Sequence, residues 1–152
     1  MSAVSLNDEA QNITVFLKGF DGEEGDTIAK YRLNQGKFRT ILLKYWSGTC
    51  AVSGLNDQRL LIASHILPWS KSTNNQKGDP FNGLLLSVVW DSLFDKGLIS
   101  FDDEGKAILE RLTDDVIYCL GLKTDQQVID VQKLTNEHKQ YLKMHRMLHQ
   151  FE

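Results

Sequence analysis

At 152 residues the chain is about one domain long and can bury a core. Its 41% hydrophobic and 24% charged content is that of an ordinary globular sequence, and no apolar run approaches the ~20 residues a membrane span needs. A net charge of −3 argues mildly against nucleic acid as partner, and two cysteines, Cys50 and Cys119, exclude a disulfide framework.

Charge distribution softens the first objection. Residues 1 to 29 hold six acids against Lys18, whereas residues 30 to 46 hold Lys30, Arg32, Lys37, Arg39 and Lys44 with no acid. A chain that is acidic overall can still present a basic stripe, although such a run can equally be a solvated helix face. The N-terminus has no basic start and carries Asp8 and Glu9 before any apolar stretch, so no signal peptide is read and a cytoplasmic protein is expected.

In chain order, Asn7 to Phe20 spaces Ile13, Phe16 and Leu17 as a short amphipathic helix, and Gly19 to Asp26 reads as a loop. From Thr27 to Trp46, apolar residues recur every three or four positions, which predicts one helix or two broken near Asn34–Gly36. Cys50–Gly54 and Leu60–Ile66 read as strands, with Asn56 and Asp57 in the turn between them. Pro68 to Pro80 is a long polar connection. Asp79 as N-cap, Pro80 at the first helical position and Gly97 as the stop predict a helix ending at Asp95. Leu98 to Glu110 reads as a hairpin, and Thr135 opens a C-terminal helix with Tyr141, Leu142, Met144, Met147 and Leu148 as its apolar stripe.

The chemistry concentrates in the middle of the chain. Hydrolysing a phosphodiester requires an activated water, a countercharge for the phosphate and help for the leaving oxygen, which one imidazole and one divalent cation can supply. His65 closes an apolar strand beside the polar loop. A lone histidine there is most often structural. Asn82 follows, with Asp91 and Asp95 nine and thirteen residues beyond it. Residues four apart share a helix face, and two carboxylates there repel until a cation relieves them. As an isolated pair they can equally be a solvated face.

The blocks Cys50-Ala-Val-Ser-Gly54, Ala63-Ser-His-Ile-Leu-Pro-Trp69, Asp79-Pro-Phe-Asn-Gly-Leu-Leu-Leu-Ser87 and Leu93-Phe-Asp-Lys-Gly-Leu-Ile-Ser-Phe101 occur in one order. Together they resemble the HNH (His-Me finger) endonucleases, and more narrowly their restriction- and defence-type branch, over roughly residues 36 to 112. The resemblance extends more weakly to Tyr141–Arg146. It implies His65 as the base that deprotonates water, Asn82 as the residue bracing the loop, and Asp91 as a metal ligand where the family places a final His or Asn. Asp95 falls where some relatives place a further ligand. Two departures stand out: no histidine occupies the final position, and Ser64 precedes the base where many relatives carry a ligand.

Aspartate oxygens favour Mg²⁺ or Mn²⁺, and Cys50 lacks the nearby cysteine a structural zinc would need. Lys71 and Lys77, beside His65, are the preferred phosphate contacts, with Lys37, Arg39 and Lys44 riding on the DNA backbone. Trp69 is expected to pack, Trp90, Leu93 and Phe94 to be buried, and His138, His145 and His149 to lie on a solvated helix face with Lys139, Lys143 and Arg146. The expected fold is α+β: a single domain with an N-terminal helical region (1–46), a ββα-metal core and hairpin (47–112) and a C-terminal helical region (113–152). The expected function is metal-dependent DNA cleavage. One site cuts one strand, so double-strand cleavage would take a homodimer or two nicks. A catalytically degenerate HNH module that binds DNA or protein without cutting is the alternative, and a colicin-like toxin lacks support from any receptor or translocation region.

Overall fold

The computed structural model describes residues 24–124 and 127–152, with side chains from Leu33 onward. The Asn7–Phe20 helix and most of the Gly19–Asp26 loop expected from sequence lie outside these residues. Helix α1 spans Glu24–Tyr45 without a break, so Asn34–Gly36 does not divide it. Phe38, Ile41, Leu42 and, just past the end, Trp46 are buried, while Lys37 and Lys44, seven residues apart, share its exposed side.

The central sheet has two antiparallel strands, β1 (Leu61–His65) and β2 (Gly83–Ser87), in a register that opposes Leu61 to Ser87 and His65 to Gly83. Helix α1 packs on this ribbon, and so does helix α3 (Val88–Asp95), which starts where β2 ends. The connection from β1 to β2 is not open loop. It holds a 3₁₀ turn (Trp69–Lys71), the one-turn helix α2 (Asn74–Lys77) with a Thr73–Gln76 capping box, and a second 3₁₀ turn (Pro80–Asn82) capped by Asp79.

Two expectations are corrected here. Cys50–Gly54 is a turn, not a strand: Cys50 N–H donates to the Leu55 carbonyl and Gly54 sits at φ +79°. The strand that pairs with β1 is instead cut from the segment read as one helix from Asp79 or Pro80 to Asp95. Gly83-Leu-Leu-Leu-Ser87 is buried at every position, because helices cover both faces of the ribbon. A strand buried on both faces loses the alternation that marks a strand, and its apolar run reads equally well as buried helix. The helix proper begins after Ser87, whose hydroxyl accepts the Trp90 N–H.

Strands β3 (Ser100–Phe101) and β4 (Ala107–Ile108) form the expected hairpin around Asp102–Gly105. A short helix α4 (Asp114–Cys119) and helix α5 (Asn136–Leu148), capped by Thr135, follow. Within α5, His138 and His145 are buried at 0% and 1% exposure, which corrects the solvated face expected for the three histidines. Only His149 is partly exposed. Arg146 is buried as well: its guanidinium donates to the Phe101 carbonyl at 2.8 Å and pairs with Asp103 and Glu152, tying α5 to the hairpin.

Candidate active site

His65 is the last residue of β1, and its side chain falls on the ribbon face that α1 covers. Its ring stacks on Phe38 at 4.1 Å between centroids, inclined by 6°, and meets Trp69 edge-on with centroids 5.8 Å apart. Opposite His65, Gly83 makes the stacking possible: a Cβ there would lie 2.6 Å from the Phe38 ring and 2.8 Å from Leu42. The imidazole Nε2 lies 2.8 Å from the Lys77 carbonyl. A carbonyl only accepts, so Nε2 carries the proton and Nδ1 keeps a lone pair. Burial pulls the His65 pKa below its usual value, and the Lys77 carbonyl partly opposes this by favouring the charged ring.

Asn82 is wholly buried and saturated with hydrogen bonds. Its Oδ1 accepts the Leu67 N–H at 2.7 Å, its Nδ2 donates to the Gln76 carbonyl at 3.0 Å, and its own carbonyl accepts the Ile66 N–H at 3.1 Å. It therefore ties both ends of the β1–β2 connection together, and the Gln76 carbonyl it holds is next in the chain to the carbonyl that holds His65.

The carboxylates lie on the other side of the ribbon. Side chains alternate along a strand, so Ser64 turns towards α3 while His65 turns towards α1. The Ser64 hydroxyl lies on the Asp91 side and favours its charged form. Burial raises the Asp91 pKa and the neighbouring Asp95 carboxylate adds to the rise, while Ser64 and Lys96 act in the opposite direction. Asp95, one turn on, is exposed. Base and carboxylates thus flank the end of β1, joined through the consecutive residues Ser64 and His65. Among the described residues no group of three His, Cys, Asp or Glu side chains is placed to hold a metal ion. The pair Asp91 and Asp95 suits a cation that keeps most of its water, as Mg²⁺ does.

The basic residues divide. Arg39 is committed to the fold, with Nη1 2.5 Å from the Leu61 carbonyl and Nη2 2.8 Å from that of Gln58. Lys77 Nζ lies 4.7 Å from the centre of the Trp69 ring, beside His65, and Lys71 is exposed on the same connection. Lys37 and Lys44 lie further along α1. Sequence reasoning missed Phe38, whose role needs the α1–β1 packing, and the influence of Ser64 on Asp91, because serine was read only as an absent ligand.

A histidine closing the first strand of an antiparallel pair, a buried asparagine bracing the connection and acids on the following helix make up a ββα arrangement. Residues 50–102, about a third of the chain, match the family model described as HNH endonuclease. No curated protein matches the chain. HNH nucleases act on DNA and usually use a divalent metal. No helix among the described residues is long and apolar enough to cross a membrane.

Proposed function

We propose that the protein is a metal-dependent DNA endonuclease, of the restriction or defence type that the blocks around His65 resemble, with His65 as general base. The observation that carries this reading is the Nε2 bond to the Lys77 carbonyl, which leaves Nδ1 as the acceptor for a water proton. That water's oxygen attacks phosphorus, the bond to the 3′ oxygen breaks, and the ends carry 5′-phosphate and 3′-hydroxyl. As His65 gains its proton, the Lys77 carbonyl dipole stabilises the imidazolium. Asn82, by holding the neighbouring Gln76 carbonyl, keeps the peptide before it in place.

Asp91 and Asp95 would hold a single Mg²⁺ or Mn²⁺, with water and phosphate oxygens completing its shell. Bound there, the cation supplies charge neutralisation to the phosphate and the leaving oxygen. Lys71 and Lys77 would meet phosphates flanking the scissile one, and Lys37 and Lys44 more distant ones.

Cleavage of supercoiled plasmid tests the proposal. Wild-type protein should nick or linearise DNA with Mg²⁺ or Mn²⁺ and stop in EDTA. His65→Ala should lose on the order of 10²–10⁴-fold in rate, the range for a lost general base. Full activity in that variant removes His65 as the base. The absence of a three-ligand metal group among the described residues favours a second reading, a module that binds without cutting. That reading predicts DNA binding with no cleavage in any divalent metal, unaffected by Asp91→Ala.

A further inference from the structure

The connection that holds His65 is anchored from outside residues 50–102. Tyr141, on α5, donates its hydroxyl to Asp79 Oδ2 at 2.7 Å. The other carboxylate oxygen, Oδ1, accepts the Phe81 N–H at 3.0 Å. The Asp79 backbone then joins both sides of the brace: its N–H donates to the Gln76 carbonyl at 3.3 Å, and its carbonyl accepts the Asn82 N–H at 2.9 Å. One residue on from Gln76, the Lys77 carbonyl meets His65 Nε2. Tyr141 is itself held, packed with Trp69 against Ile41 and Phe81.

We infer that Tyr141 is a positioning residue for the base, fixing through Asp79 the carbonyl that orients His65. The inference rests on the reading of His65 as the base. Asp79 is largely removed from water, and burial raises its pKa, while the Tyr141 and Phe81 hydrogen bonds oppose that rise. Without the phenol hydroxyl, one desolvated carboxylate oxygen has lost its donor, and it regains a partner only if the segment shifts towards water. Such a shift moves Gln76 and Lys77, and misplacing a base by about 1 Å costs up to 10²-fold in rate.

Tyr141→Phe tests this in the full chain, with Tyr45→Phe as control. Tyr45 packs against the same Ile41–Phe81 cluster, but its hydroxyl donates to the Lys133 carbonyl, with no link to Asp79. Two readouts apply below each variant's Tm: kcat and KM for plasmid nicking with Mg²⁺ or Mn²⁺, and solvent exchange of the His65 Nε2 proton by ¹⁵N NMR. Tyr141→Phe should lower kcat about 10-fold with KM unchanged and speed exchange of that proton. Tyr45→Phe should lower Tm while leaving both readouts at wild-type values. Either readout staying at its wild-type value in Tyr141→Phe, or moving equally in the control, overturns the inference. If the wild-type protein does not cleave DNA, the nuclease reading falls and proton exchange alone decides the positioning role.

Discussion

Gly83 shows how one residue without a side chain shapes the site. It stands opposite His65 in the β1–β2 register, and its bare Cα lets Phe38 and Leu42 close on the ribbon. Gly83→Ala would push a methyl group into the Phe38 ring at 2.6 Å, a distance real Cβ contacts do not adopt. Overpacking of this kind costs about 1–3 kcal/mol. Phe38 carries the His65 stacking, so the variant should lose cleavage as well as stability. Chemical denaturation and plasmid nicking measured together check this, and a variant unchanged in both would show that Phe38 yields freely. The positions of His65 at a strand end and of Asn82 after the polar connection were legible at this scale because residue type and order carry them. Phe38 was not, since a phenylalanine on an apolar helical stripe has no mark distinguishing a ring that meets an imidazole from one that meets leucine.

Among the elements, α5 departs most from its sequence pattern. Three histidines among lysines and an arginine suggested a wet face, yet His138 sits in a box formed by Tyr45, Trp46 and Phe81, with ring centroids 5.2–5.8 Å away. His145 stacks on Phe94 at 3.8 Å and bridges Ser100 and the Phe94 carbonyl. Burial lowers the pKa of each to about 4. The consequence for stability has a definite sign. Unfolded histidine takes up its proton near pH 6.5, whereas these rings resist protonation until about pH 4 when folded, so their contribution falls as pH drops through that window. Fully expressed, the loss is roughly 3 kcal/mol per ring. Asp79 and Asp91, whose carboxyl pKa values are raised, act in the opposite direction. The slope of unfolding free energy against pH between 6.5 and 4 should therefore flatten in His145→Phe relative to wild type. Equal slopes would mean that His145 titrates normally in the folded protein.

For the molecule as a whole, the HNH segment shares its core with the helices on either side of it. Phe38, Leu42 and Trp46 from α1 and its end, Ile129 and Leu134 from the connection before α5, and Leu142 from α5 share one buried cluster with Leu84, Leu86, Trp90 and Phe94. A segment of this size buries too little by itself to offset the loss of chain entropy. Residues 50–102 expressed alone should therefore show no cooperative thermal transition by circular dichroism, while the full chain melts as a unit. A sharp melt of the isolated segment would refute the shared core.

By itself the sequence determined the chemical parts and their order: a histidine ending a strand, an asparagine after a polar connection, two aspartates one helical turn apart, and caps at Asp79 and Thr135. These are local properties, set by residue type, spacing and the hydrogen bonds of neighbouring backbone. Tertiary structure decided the rest. It set which segment pairs with β1, because Gly83–Ser87 is covered on both faces and its pattern carries no period. It turned α5 inward, because polar rings that find partners can be buried like apolar ones. It also spent Arg39 on two carbonyls of the entry to β1, a use that charge and spacing do not encode. In each case the deciding partner is far away in the chain, where periodicity and local motifs carry no information.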